Sequence, residues 1–207
     1  VRANRELRAG KLFLSDRLQP IAGEVVGEGR DQLRFTLTLQ ESGTYRLQFT
    51  PRDGETAIPT PAFPIKVLPD DPPSVVILEP EAEEISLPAN GLLAVDGRVA
   101  DDFGIDTVTL RLRLAGDNAM PLQPRPYRNG ERTSFRRESD DSYPTSLEVK
   151  DSVPLEELRN EAGERVTLQE GMILEYWLES RDNCTVPEAN LGRSAIKRVK
   201  ILAPVVE

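Results

Sequence analysis

Apolar and polar residues alternate in short runs along most of this chain. In Gln32–Gln40, Leu33, Phe35, Leu37 and Leu39 share one face, and Arg34, Thr36 and Thr38 the other. Period two marks a half-buried strand. The turn Glu41-Ser42-Gly43 follows, then Thr44–Thr50, where Tyr45, Leu47 and Phe49 alternate with Arg46 and Gln48. The pair reads as a hairpin with one apolar face. Ala62–Leu68 reads as the last strand of this first region, and Val1–Leu7 and Lys11–Leu14 as weaker strands split by Arg8-Ala9-Gly10.

The segment Leu68-Pro69-Asp70-Asp71-Pro72-Pro73 interrupts the pattern. Proline has no N–H to give a ladder and stiffens the chain, so a boundary is expected here. The alternation then restarts. Ser74–Leu78, Leu92–Ala100 and Asp106–Leu114 read as strands; in the last, Val108, Leu110, Leu112 and Leu114 face inward. Met172–Ser180 and Ser194–Leu202 read as two more. Residues 115–171 are less regular. They hold Asn129-Gly130, which suits a tight hairpin turn, a candidate strand at Ser146–Lys150, and one helical turn expected at Pro154–Arg159. The expected fold is all-β: two tandem immunoglobulin- or fibronectin-III-like sandwiches. The first spans 1–69 and reads as short at its N-terminus. The second spans 70–207, with an insertion at about 115–171.

Composition narrows the chemistry. The chain has 207 residues, 38% hydrophobic and 29% charged, which suits a globular protein with a real core. No apolar run approaches the roughly 18 residues that span a bilayer, so this stretch is not expected to insert directly in a membrane. Val1 is not an initiator Met, so anchoring or targeting segments are expected to lie outside it. The net charge of -9 disfavours nucleic acid, which needs clustered Lys and Arg. The single cysteine, Cys184, excludes an internal disulfide, and the absence of histidine removes the commonest general base and metal ligand. Triads and His-ligated zinc are thereby excluded, and no enzymatic activity is expected. A glycosidase built on Asp101, Asp102 and Asp182 would need a substrate cleft that nothing in the sequence builds.

Three features remain as candidate sites. Sandwich connectivity places Asp70, Asp71, Asp101, Asp102, Asp106, Asp182 and Asn183 near one pole of the second region, the one expected to face the first. Clustered carboxylates are what calcium requires, so Asp70, Asp71, Asp101, Asp102 and Asp182 are its candidate ligands. The alternative is that each Asp serves a local turn. Trp177, the only tryptophan, points outward between Glu175 and Glu179. Together with Arg111 and Arg113 it offers a surface contact for a sugar or a partner, unless it simply packs against those arginines. The basic loop Arg125–Arg137 reads as a solvated hairpin balanced by Glu131, Glu138, Asp140 and Asp141 in preference to a polysaccharide contact.

Gly43-Thr44-Tyr45 and Gly171–Tyr176 resemble the corner before the penultimate strand of immunoglobulin-type sandwiches. A narrower resemblance covers most of the chain. Its motifs are Val99-Ala100-Asp101-Asp102-Phe103-Gly104-Ile105-Asp106, Leu174–Asn183, Asn190–Ser194 and the junction Val67–Pro73. Together they resemble the extracytoplasmic repeats of large membrane-anchored bacterial proteins of unknown function, of the planctomycete type. The resemblance implies a non-catalytic structural or interaction module, periplasmic or at the cell surface. Its partner would be another protein or the rest of its own polypeptide. The alternative is a carbohydrate-binding or adhesion module, stiffened by calcium at the junction.

Overall fold

The computed structural model describes residues 1–54, 59–116 and 119–205. These form two compact units, Val1–Pro69 and Asp70–Glu207. Among the described residues no helix is long and apolar enough to cross a membrane.

The first unit contains β1 (Leu7–Leu14), β2 (Ile21–Ala22), β3 (Glu24–Val26), β4 (Gln32–Arg34), β5 (Gly43–Pro51) and β6 (Phe63–Ile65). One sheet runs β2-β1-β5-β6, all antiparallel. Facing it, β3 pairs with β4, and Arg2 bridges Gln32 on the other side of β4. Leu12, Leu14 and Leu47 are buried between the layers, with Phe35, Leu37 and Tyr45 packed against them.

Two expectations fail here. Gln32–Gln40 and Thr44–Thr50 do not form a hairpin, because β5 pairs with β1 and β6. The turn at Glu41–Gly43 instead carries the chain between layers, so the two apolar faces meet across the core. Arg8-Ala9-Gly10 does not split two strands either. β1 runs through it, and a bulge between Leu7 and Ala9 absorbs the irregularity.

The second unit contains β7 (Ser74–Glu79), β8 (Glu84–Pro88), β9 (Leu92–Ala100), β10 (Ile105–Leu114), β11 (Met120–Pro121), β12 (Arg125–Tyr127), β13 (Ser146–Pro154), β14 (Ile173–Asp182), β15 (Leu191–Arg193) and β16 (Lys197–Leu202). A single 3-10 turn, Leu155–Glu157, follows β13. One sheet is β13-β9-β7. The other runs β11-β10-β14-β16-β8, with β12 on β10 and β15 on β14. The first strand thus changes layers: β7 lies antiparallel to β9, while β8 lies parallel to β16. Two layers packed over one core, antiparallel except for that one pair, with such a switching first strand make an immunoglobulin-like sandwich. The region 115–171 is not one insertion, since β13 within it pairs along its whole length with β9.

The core between the layers holds Val95, Val99, Leu110, Val149, Leu174, Tyr176, Leu178 and Ile201, all essentially inaccessible. Gly97 is there for lack of room. A Cβ at that position would lie 2.5 Å from Leu178 Cδ1 and 2.9 Å from the Val76 carbonyl.

Candidate functional site

The acidic residues of the second unit come from three chain segments. Asp70 precedes β7, Asp101 and Asp102 form the turn between β9 and β10, and Asp182 ends β14. The β9–β10 turn is shaped by Asp101, whose Oδ2 accepts from Phe103 N at 3.1 Å and Gly104 N at 2.6 Å. Gly104 permits this turn because its φ is +147°.

One carboxylate oxygen from each of Asp70, Asp101 and Asp102 lies within 4.8 Å of the others. Asp70 Oδ1 and Asp101 Oδ1 are buried and have no hydrogen-bond partner. Burial pushes the Asp101 carboxyl above its ordinary value, despite the bonds from Gly104 and Phe103, and the charges of Asp182 and Asp102 push the same way. Three clustered carboxylates offer the hard oxygens a cation such as calcium takes.

Asp182 and Asp71 do not belong to this group of three, although the Asp182 charge acts on Asp101. Asp182 is buried, and both its oxygens are occupied. Oδ1 accepts from Cys184 N at 3.1 Å and Asn190 N at 2.8 Å, and Oδ2 from Asn190 Nδ2 at 2.7 Å. The Asn190 amide also donates to the Asp70 carbonyl at 3.2 Å, tying the entry of the unit to the loop after β14. Asp71 is exposed. Asp106 accepts from Ser134 Oγ at 2.5 Å.

Trp177 lies half-buried on the outer face of β14. The Arg113 guanidinium sits 5.4 Å from its ring centre, and its indole N–H donates to Glu179 Oε1 at 3.0 Å. Around it runs a lattice of charge. Glu175 accepts from Arg113 at 2.6 Å and Arg198 at 3.2 Å, while Glu179 accepts from Arg111 and Arg193, each at 2.9 Å. Both glutamates are more than nine-tenths buried, and both carboxyls lie below their ordinary value. For Glu175 the Arg113 hydrogen bond is the main cause, opposed by burial. For Glu179 burial pulls upward and is outweighed by Trp177 and Arg111.

Sequence reasoning placed these glutamates only as neighbours of Trp177. The available signal was Arg111 and Arg113 at alternate positions on β10, which becomes a brace only once β10 is registered against β14. In the basic loop, Arg132 pairs with Glu138 and Arg136 with Asp141, while Arg125 reaches Asp151 at 3.2 Å. Also unforeseen is a 530 Å³ cleft in the first unit, lined by Leu14, Phe35, Leu37, Leu39, Tyr45 and Leu47 among others.

Tyr176 points inward after the Gly171 turn, as the resembled corner has it. Its hydroxyl is buried without a partner, and burial raises its pKa to about 12.

The fold and these sites define an immunoglobulin-like β-sandwich protein. No protein-family model matches the chain, and no curated protein matches it in sequence. Solved structures similar to it include BcpA, the major pilin subunit of Bacillus cereus. That structure is 11% identical with a TM-score of 0.40, over 93% of this chain and 64% of that one. The human OSCAR ligand-binding domain is 18% identical with a TM-score of 0.29, over 94% of this chain and 85% of that one. Three N-terminal domains of the bacteriophage RB49 Highly Immunogenic Outer Capsid protein (Hoc) are 9% identical with a TM-score of 0.33, over 98% of this chain and 59% of that one. The chain spans less than two thirds of the pilin and capsid structures. Likenesses at this level carry no argument about function.

Proposed function

We propose that this chain is a non-catalytic structural and interaction module of a larger, membrane-anchored bacterial protein, held outside the cytoplasm. The observation that carries this reading is the braced outer face of the second unit. Glu175 and Glu179, the carboxylates nearest its only tryptophan, are each fixed by two arginines and held ionised. Groups so fixed stiffen a sheet; a general acid needs a proton to give near neutral pH. The Val99–Asp106, Leu174–Asn183 and Asn190–Ser194 motifs support the extracytoplasmic setting through their resemblance to repeats of anchored bacterial proteins. The partner is then another protein or the rest of the same polypeptide.

Labelling with a membrane-impermeant amine reagent tests the setting. Lys11 and Lys66 are exposed and report the first unit, Lys150 and Lys200 the second. In intact spheroplasts of the natural host these lysines are expected to label as fully as in a lysate. Labelling that appears only after lysis overturns the reading.

A second reading, calcium held by Asp70, Asp101 and Asp102, is favoured by the two buried carboxylate oxygens that lack partners. The carbohydrate alternative rests on Trp177 and the arginine-rich loop. The Trp177 N–H and one ring face are engaged by Glu179 and Arg113, and Arg125, Arg132 and Arg136 are paired with Asp151, Glu138 and Asp141.

A further inference from the structure

The second sheet of the first unit stops while its apolar pattern continues. β4 ends at Arg34, yet Phe35, Leu37 and Leu39 go on pointing into the 530 Å³ cleft, and Leu39 remains 40% exposed. Phe35–Gln40 lie in no ladder. Among the described residues their backbone makes one hydrogen bond, from Arg17 Nη2 to the Thr38 carbonyl at 3.3 Å. An apolar strand with unpaired amides is a template for another strand.

The geometry fixes how that strand must run. Val1 and Leu33 exchange both backbone bonds at 2.8 Å, Ala3 N donates to the Asp31 carbonyl at 2.7 Å, and Arg2 stands opposite Gln32. The ladder is antiparallel, so its continuation backwards from Val1 passes along Phe35–Gln40. In that register the second, fourth and sixth residues before Val1 fall opposite Phe35, Leu37 and Leu39. Backbone groups alternate sides along a strand. Since the Leu33 N–H faces Val1, the N–H groups of Phe35, Leu37 and Leu39 face the same open edge. Those of Thr36 and Thr38 face the edge that Arg17 touches. On that edge the chain has already left the sheet, for Gly23 donates to Gly10 in β1 and Ile21–Ala22 pair with β1.

We propose that the polypeptide leading into Val1 is a β-strand that pairs antiparallel with Phe35–Gln40 and roofs the cleft. Its apolar side chains sit at the second, fourth and sixth positions before Val1. A strand from a separate molecule would bring its C-terminal end against the Val1 ammonium and lose translational freedom on binding. A strand joined to Val1 by a peptide bond keeps the Val1 N–H bond to Leu33 and arrives in register. This inference is independent of the proposed module role, which stands whether or not it holds.

Amide hydrogen exchange tests it, comparing the 207-residue chain with the same chain carrying the residues that naturally precede Val1. In the longer chain, exchange at Phe35, Leu37 and Leu39 is expected to slow by roughly 100-fold, while Thr36 and Thr38 stay fast. Four results overturn the proposal. The first is fast exchange at all five amides in both chains. The second is uniform slowing that includes Thr36 and Thr38. The third is concentration-dependent protection already present in the 207-residue chain, which assigns the edge to a second copy. The fourth is a natural chain that begins at Val1.

Discussion

Arg113 covers the Trp177 ring at 5.4 Å while its Nε binds Glu175 at 2.6 Å, so one guanidinium serves a cation–π contact and a nearly buried ion pair together. Glu175 is the buried partner of two half-exposed arginines, so neutralising it weakens two charge-assisted hydrogen bonds in a place where water cannot replace them. Glu175→Gln is therefore expected to destabilise the second unit by about 1–2 kcal/mol at neutral pH, read as a lowered denaturant midpoint.

The same glutamates set an acid limit. Their carboxyls lie below the ordinary value in the folded state, so folding favours their ionised forms. That stabilisation is fully present above the unfolded glutamate value of about 4.3 and is lost as pH falls through the lower folded values. The melting temperature is expected to drop on acidification below about pH 4, and to drop less steeply in Glu175→Gln. Identical slopes in the two proteins would remove Glu175 from the account.

Asp101 behaves oppositely. Its folded pKa is raised, so ionisation costs stability as pH rises through the carboxylate range. Asp101→Asn can keep the bonds from Phe103 and Gly104 while removing that charge. It is expected to melt at or above the parent temperature without metal. The parent is expected to gain several degrees in millimolar calcium and to lose the gain with EDTA, and the variant to show no gain. An unchanged parent melting temperature in calcium rejects the metal reading.

Tyr176 carries a buried hydroxyl with no partner. Burying such a group unpaired is costly, so Tyr176→Phe is expected to be neutral or to stabilise by up to about 1 kcal/mol. Alkaline difference absorbance checks the assignment independently. One tyrosine should ionise at about 12, and that step should vanish in the variant.

Gly97→Ala tests the packing of the two layers. Its methyl group would meet Leu178 and the Val76 carbonyl, one of which must move. The expected loss is about 1–3 kcal/mol, read by chemical denaturation.

The second unit was largely legible in the sequence because its strands are long and its alternation clean. Leu92–Ala100 is a strand with the bounds read from the pattern, and Leu174, Tyr176 and Leu178 point inward as expected. Glu84–Pro88 escaped notice because its partner, Lys197–Leu202, lies more than a hundred residues away and no local pattern signals a parallel pairing. In the first unit, periodicity told which side chains of Gln32–Gln40 face the core, but not which strand they pair with. Apolar spacing records a face, and hydrogen-bond partners depend on the path of the whole chain.

For the acidic group, proximity was readable from sandwich connectivity, and Asp70, Asp101 and Asp102 do meet. The difference between them and Asp182 was not readable. It depends on Asn190, eight residues further on, folding back to take both oxygens of Asp182.

The parallel pairing of β8 with β16 has a mechanical consequence. β8 lies near the entry of the second unit and β16 near its exit, and Asn90 and Val205 exchange two further hydrogen bonds beyond the end of the pair. A pull applied between entry and exit drags these two strands along each other. The rungs from Glu84–Arg198 to Pro88–Leu202 are then loaded together in shear and cannot peel one at a time. Tension along the chain therefore meets this pair in shear.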